Sequence, residues 1–397
     1  MAVRIIDMGQ IWEKYYLVSV KIIFHLPSTP NDTTATIVEA IKKVGPRNST
    51  LISRITGIPT ETVRYKINKQ LTAKGFRIHV IVDVHKLAMK RQSLVLDFSD
   101  DYREIAPQIL ESFNQLAYLI YYGRTMPKGE FITLVTLPTD FEAEYVGFLD
   151  GLVKMGMLRS YDRTQLEWIH YHSFRPEYFD FPSKSFDIDW QRLGTVKVRT
   201  GEDYATTISK KPIADYSDLL ILKELQINSL QSIVDISRKV KIHPKTLRYH
   251  YNQHILRRKL VSEYGVRWMG DIESTRRHAI LYMRFFVRDA SSRELALAQD
   301  VFLRLPFVWS DALSEDSRLY MVEVSLPISQ YIDMMEYVTR KIGSIARKLN
   351  FIFIDRSATN AFTTPYHMFR EGAWVFNPDD SLERFSRLAM EIDKIKK

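Results

Sequence analysis

The sequence predicts an α+β fold built twice within one chain, each half a three-helix unit followed by a βαββαβ unit. Three observations carry that expectation: the length, an internal repeat, and the order in which hydrophobic periodicity switches between helix and strand. At 397 residues the chain exceeds one ordinary core, and a prior of roughly 100 to 200 residues per domain gives two to four domains. Residues 52–68 and 236–252, offset by 184, are identical at 8 of 17 positions, including Ile52-Ser53-Arg54 over Ile236-Ser237-Arg238 and Thr62, Arg64, Tyr65 and Asn68 over Thr246, Arg248, Tyr249 and Asn252. Downstream, Val135-Thr136-Leu137-Pro138 returns as Val324-Ser325-Leu326-Pro327, and Tyr171-His172-Ser173-Phe174-Arg175 as Tyr366-His367-Met368-Phe369-Arg370. A unit of about 190 residues is far longer than a solenoid repeat and reads as a tandem duplication of a two-part module.

Composition narrows the classes. An apolar fraction of 45% with 12% aromatics belongs to a globular chain. There is no cysteine, which excludes disulfides, thiol nucleophiles and Cys-ligated zinc fingers. The apolar stretch Tyr15 to Leu26 is broken by Lys21 and His25 and falls short of the roughly 20 residues of a membrane span. No secretory pattern opens the chain, so a cytoplasmic protein without a membrane partner is expected. The formal charge is +9, and it is focused: residues 33–91 carry +9, residues 213–277 carry +5, and the remainder −5. Two concentrated basic regions are what a polyanion-binding surface requires.

Within the first basic region, Thr34 to Val44 reads as a helix, Gly45-Pro46 ends it, and a short second helix runs from Ser49 to Thr56. A third helix starts near Pro59 or Thr60 and closes at Gly75. At 100° per residue, Val63, Ile67, Gln70 and Leu71 cluster on one face and Glu61, Arg64, Tyr65, Asn68 and Thr72 on the other. The second copy turns Leu247, Tyr251 and Ile255 inward and Arg248, Tyr249 and Asn252 outward. Alternating sequence follows each third helix, at Phe76 to Val80 and Leu260 to Gly265, the pattern of a strand pair that serves as a wing. Three short helices and a wing make a winged helix-turn-helix whose third helix would enter a major groove.

The rest of each half reads βαββαβ, a ferredoxin-like arrangement. Its elements are 93–98, 103–114, 118–122, 131–137, 141–154 and a terminal strand after it in the first half, and 280–286, 293–303, 307–310, 319–326, 331–349 and 351–354 in the second. The expected organisation is an N-terminal extension 1–32, winged helix-turn-helix 33–91, ferredoxin-like domain 92–190, linker 191–212, winged helix-turn-helix 213–277, ferredoxin-like domain 278–378 and a C-terminal helix 379–397.

A winged helix followed by βαββαβ resembles the Lrp/AsnC feast-or-famine regulators of bacteria and archaea. Thr62-Val63-Arg64-Tyr65, Gly75-Phe76 and Val82 to Leu87 are similar to that family's recognition helix, wing and linker strand. Tyr122-Gly123-Arg124 is similar to the segment around its ligand-loop glycine, making Gly123 the effector-loop candidate; the second copy has Asp311-Ala312-Leu313 there instead. The resemblance implies pairing of the two α+β domains as an intramolecular pseudo-dimer or a homodimer, with a small-molecule effector of unknown identity.

The function expected is a transcription regulator that binds double-stranded DNA sequence-specifically and reads a two-part operator with two recognition helices. Base-contact candidates are Thr60, Glu61, Arg64, Tyr65, Asn68, Lys245, Arg248, Tyr249 and Asn252, because Arg suits guanine and Asn adenine. Phosphate-contact candidates are Ser49, Arg54, Lys69, Arg77, Arg238, Arg257 and Arg258. No Walker-type loop, carboxylate cluster or Ser/His/Asp set is discernible, and the Tyr-His-x-Phe-Arg block reads as packing against the sheet or as domain pairing, so no enzyme, metal or cofactor is expected. The alternatives are a non-specific architectural DNA- or RNA-binding protein and a ligand-sensing assembly protein that does not bind DNA.

Overall fold

The computed structural model describes residues 33–183, 185–194, 207–268 and 280–395. The extension expected over 1–32, the linker interior 195–206 and the end of the second helical unit, 269–277, lie outside the described residues.

The first helical unit is α1 (Thr33–Val44), α2 (Ser49–Thr56) and α3 (Thr60–Tyr65), the last running on as a π-helical segment Lys66–Leu71. Asn48 caps α2 by accepting the Leu51 N–H at 2.9 Å, a contact worth about 1 kcal/mol. Gly57 ends the helix at φ 74°, a left-handed conformation that a side chain would strain. Ile37, Ile41, Ile52, Val63 and Ile67 are fully buried between the helices, each contributing roughly 1.5–3 kcal/mol by leaving water.

One strand, β1 (Phe76–Val82), follows. The first α+β unit is β2 (Met89–Phe98), α4 (Ala106–Leu116), β3 (Leu119–Met126), β4 (Phe131–Pro138), α5 (Glu142–Lys154) and β5 (Leu158–Tyr171), then a minimal hairpin of β6 (Phe179–Asp180) and β7 (Ser185–Phe186). The second half repeats this with α6 (Tyr216–Ile227), α7 (Ile233–Val240), α8 (Pro244–Tyr249, continued as π-helical His250–Leu256) and β8 (Val261–Trp268). Its α+β unit is β9 (Ile280–Arg288), α9 (Ser292–Leu303), β10 (Val308–Ser314), β11 (Leu319–Pro327), α10 (Tyr331–Ile342) and β12 (Leu349–Ala361), followed by β13 (Phe369–Arg370), β14 (Ala373–Trp374) and α11 (Pro378–Ile395). The helix expected from Arg103 begins at Ala106, where Pro107 suits the first turn. The one expected over 331–349 ends at Ile342, because Gly343 turns the chain at φ 41°.

Two expectations are corrected. Among the described residues the strand after each third helix has no hairpin partner of its own: β1 and β8 pair with each other, Phe76 opposite Trp268 and His79 opposite Gly265. What reads as two wings is one ribbon between the copies, since alternation fixes which face is buried but does not name the partner strand. The Tyr-His-x-Phe-Arg match is also out of register. β5 ends at Tyr171 and β12 at Ala361, and the following hairpins start at Phe179 and Phe369, so the structural offset is 190 and Tyr171 does not correspond to Tyr366. Phe174, Phe179 and Phe181 instead gather round Phe76, with ring centroids 4.9, 5.8 and 5.6 Å away, and close the core of the first helical unit.

The two α+β units do not remain separate sandwiches. Their sheets, ordered β3-β4-β2-β5 and β10-β11-β9-β12, join edge to edge through β5 with β10 and β12 with β3 into a closed eight-stranded barrel. Closure leaves no free edge strand. Apolar side chains including Ile132, Leu166, Ala312, Met321 and Ile354 fill the interior, and the β1–β8 ribbon lies across one end, where its residues line a cavity together with barrel strands.

Candidate functional site

The cavity between the ribbon and the barrel interior holds about 440 Å³, within the range of small-molecule sites, roughly 300–1,000 Å³. Residues from both halves line it: His79 and Arg267 from the ribbon, Arg91 and Ser93 from β2, Tyr121 from β3, Tyr171 from β5, Arg284 from β9, Trp309 and Asp311 from β10, and Glu323 from β11. Ile120, Leu134, Leu166 and Ile169 supply an apolar wall.

Its electrostatics are lopsided. Arg284, only 6% exposed, donates from Nε to Glu323 Oε1 at 3.0 Å and from Nη1 to Ser93 Oγ at 3.2 Å, so that cation is neutralised. Asp311, 1% exposed, accepts from Tyr320 Oη at 2.9 Å and faces His172 Nε2 at 2.7 Å. Arg91 and Arg267 are different: among the described residues neither has a carboxylate partner. The Arg267 guanidinium lies 3.7 Å from the Trp309 ring centroid and 5.9 Å from that of Tyr171. Arg91 lies 5.2 Å from the Tyr171 centroid, and its buried Nε has no hydrogen-bond partner. Ring faces attract these cations but do not discharge them. Burial lowers the Arg267 pKa, opposed by nearby Tyr171 and Glu323.

His79 sits beside Arg267. Burial, reinforced by the Arg267 charge, pushes its pKa well below the ordinary histidine value, so it is held neutral, with one N–H to give and one nitrogen to accept. Gly265 makes this placement possible. A Cβ there would meet His79 Cε1 at 2.5 Å, and since the residue lacks a positive φ, it is close approach rather than backbone freedom that requires glycine. Burial likewise drives the Tyr121 hydroxyl far above its usual range, keeping it a neutral donor.

Sequence reading pointed elsewhere, to the helical units. Glu61, Arg64, Tyr65, Asn68, Lys69 and Arg77 are exposed in the first copy, with Thr60 and Ser49 half-buried; Lys245, Arg248, Tyr249, Asn252, Arg257 and Arg258 are exposed in the second. Tyr65 and Tyr249 are 64% and 58% exposed, so the outward faces carry aromatic rings that pack against neither core. Arg64 pairs with Glu61 at 2.7 Å, Arg238 lies 3.5 Å from Asp235, and Arg54 is exposed. Gly123 is corrected: it lies within β3, opposite Thr359 and Ile132, not in a loop. A Cβ there would strike Ile354 Cγ2 at 2.7 Å, which explains the glycine by strand packing. Nothing in the sequence singled out Arg91, Arg267 or His79. Their signal was a charged or ionisable residue inside an otherwise apolar strand, legible only once the barrel closes.

No protein-family model matches the chain, and no curated protein matches it. Among solved structures, the siroheme decarboxylase NirDL has a similar fold over its full length: 9% identity and a TM-score of 0.52, covering 91% of this chain and 100% of that one. A second structure of NirDL, in complex with an iron-uroporphyrin III analogue, gives 9% identity and a TM-score of 0.51 over 90% and 98% of the two chains. A transcriptional regulatory protein of the AsnC family from Pyrococcus furiosus gives 14% identity and a TM-score of 0.27, covering 34% of this chain and 89% of that one. The expectation of a non-enzyme is therefore corrected: NirDL, whose two structures match this chain over about nine-tenths of its length, is an enzyme.

Proposed function

We propose that the chain is an enzyme whose substrate carries several carboxylates and occupies the barrel-end cavity, that the substrate belongs to the tetrapyrrole class, and that the reaction is a decarboxylation. One observation carries this reading: Arg91 and Arg267, half-buried against aromatic faces without a carboxylate partner among the described residues, line one cavity of about 440 Å³. An uncompensated buried guanidinium is costly unless something anionic arrives to share its charge. A ligand with two or more carboxylates satisfies both cations at once, and bidentate geometry would fix its orientation. One protein of similar fold is a siroheme decarboxylase, which favours the tetrapyrrole class and the reaction type.

In such a reaction the C–COO⁻ bond breaks, carbon dioxide leaves, the electron pair stays with carbon, and that carbon takes a proton. The apolar wall of Ile120, Leu134, Leu166 and Ile169 disfavours a carboxylate relative to neutral carbon dioxide when water is excluded. His79, neutral with one N–H and one free ring nitrogen, is suited to relay the proton: it gives its N–H to carbon as its other nitrogen takes a proton from water. Arg91 and Arg267 bind the carboxylates that do not react. The test is incubation of purified protein with siroheme and mass-spectrometric detection of carbon dioxide loss. Loss in the parent, abolished in Arg267→Ala and at least about tenfold slower in His79→Gln, supports the assignment; an unchanged substrate overturns it.

A second reading rests on a different observation, the exposed Arg-Tyr-x-x-Asn face on both third helices. It supports binding of double-stranded DNA through two reading helices, with phosphate contacts from the neighbouring lysines and arginines. Selection of DNA fragments by the purified protein tests it: a two-part motif lost in Arg64→Ala and Arg248→Ala supports the reading, and absence of any retained motif removes it.

A further inference from the structure

The two helical units differ most sharply beneath their matching outward faces. In the first, Lys66 of the π-helical segment reaches Thr34 Oγ1 at 2.6 Å, putting a fixed positive charge between α3 and α1. At the same offset of 184 the second unit has His250 over Lys66, Asp218 over Thr34, His254 over Gln70 and Asp215 over Asn31. The single cation and its hydroxyl partner are replaced by two imidazoles and two carboxylates.

These four side chains converge. Their donor atoms all lie within 4.8 Å of one another. His250 Nδ1 and His254 Nδ1 approach Asp218 Oδ1 at 2.9 and 3.1 Å, and Asp215 Oδ2 at 3.6 and 3.7 Å. Tetrahedral ligands about 2.0–2.1 Å from a zinc ion stand roughly 3.3 Å apart, which these separations bracket. The carboxylates are also prepositioned. Asp215 and Asp218 form a capping box at the start of α6, Asp218 N–H donating to Asp215 Oδ1 at 2.9 Å and Asp215 N–H to Asp218 Oδ2 at 3.1 Å. Asp215 thus spends Oδ1 on the helix end and turns Oδ2 toward the imidazoles, whereas Asp218 offers Oδ1 to both imidazoles and its Oδ2, besides serving the helix end, lies 3.1 Å from His254 Nδ1. Asp218 has no exposed surface, and a carboxylate so placed calls for a positive partner. His250 and His254 are four apart on a π-helical segment, an element frequent at functional sites, with ring centroids 4.7 Å apart.

We propose that Asp215, Asp218, His250 and His254 form a binding site for one divalent transition-metal ion, zinc foremost, which clamps the third helix of the second unit to α6. Mixed imidazole and carboxylate donors in a compact four-ligand set suit zinc, and cobalt(II) as its spectroscopic substitute. The metal takes the place that the Lys66 ammonium occupies in the first unit, and it would anchor the inner side of the helix that presents Arg248, Tyr249 and Asn252.

The experiment is titration of untagged, chelator-stripped full-length protein with zinc by calorimetry and with cobalt(II) by visible absorption, alongside His254→Gln, His250→Gln and Asp215→Asn. The expected result is one equivalent bound per chain with an intense tetrahedral cobalt spectrum, an affinity loss of about 100-fold in each variant, and a zinc-dependent rise in melting temperature absent from the variants. Glutamine and asparagine keep a hydrogen-bonding side chain at each position, and circular dichroism verifies that each variant is folded. Failure of either ion to bind, or equal binding by parent and the folded His250→Gln/His254→Gln double variant, overturns the site and leaves a hydrogen-bonded His–Asp cluster. Neither result bears on the barrel cavity.

Discussion

The two helical units share an outward face and differ inside. Arg64, Tyr65 and Asn68 stand where Arg248, Tyr249 and Asn252 stand, all exposed, whereas beneath them Lys66 with Thr34 faces His250 with Asp218. The cores differ as well. The first is closed by the Phe76, Phe174, Phe179 and Phe181 rings. The second is continuous with the core of the first α+β unit, where Leu219, Leu222, Leu247 and Leu260 join Val80, Val82 and Met89. Because β1 and β8 pair across the duplication, neither unit closes its core alone: Val266 of β8 packs into the first unit and Val80 of β1 into the second. A duplicated sequence can thus yield two copies that depend on each other physically.

The largest effect that would sharpen this comparison is expected at Phe76. Phe76→Ala removes the ring on which three others pack and should cost about 3–5 kcal/mol in denaturant unfolding. Ile52→Ala and Ile236→Ala, at matching and fully buried positions, should each cost about 2–5 kcal/mol. If the two units are one cooperative body, all three shift the same transition; separate transitions for the first and second units would break the ribbon account.

Gly265→Ala comes next, at about 1–3 kcal/mol, because its new methyl meets the His79 ring and the pair must part. His79 also sets a sign for pH. Its folded pKa lies below the ordinary value of 6.5, so the unfolded chain takes up the proton first. Stability is therefore intact above about 6.5 and falls on acidification toward the folded pKa. In His79→Gln that fall should flatten in urea melts recorded across the window; an unaltered slope would show that other groups govern it.

The smallest stability effects belong to caps and the outward face. Asn48→Ala and Ser232→Ala each remove a side chain that accepts a backbone N–H and should cost about 1 kcal/mol. Arg64→Ala and Arg248→Ala should change unfolding by less than about 0.5 kcal/mol, since the Arg64–Glu61 pair is exposed and screened. A larger loss would mean that the outward face supports the fold.

How much of this was legible in sequence follows from which interactions are local. Helix spans such as Ser49–Thr56 were readable because the Gly45-Pro46 break and the Gly57 stop lie close on either side, whereas the Asn48 cap emerged only in the structure. The βαββαβ order was readable for the same reason. The pairing of Phe76 with Trp268, and of Tyr171 with Ser310 across the barrel seam, depends on closure between distant segments, and alternation carries no information about it. The cavity inherits that limit: Arg91 and Arg267 are 176 residues apart and meet over the Tyr171 ring only after both closures. The error over Gly123 has another cause, a resemblance to a loop glycine where strand packing against Ile354 sets the requirement.

The central claim is that the barrel-end cavity is built for a polycarboxylate, and titration of the full chain with uroporphyrin III, followed by its visible absorption, tests it most directly. The account predicts a single site per chain, weakened about 10- to 100-fold in Arg91→Ala or Arg267→Ala and unaffected in Arg64→Ala. Absence of binding, or equal affinity in the parent and both cavity variants, would contradict it.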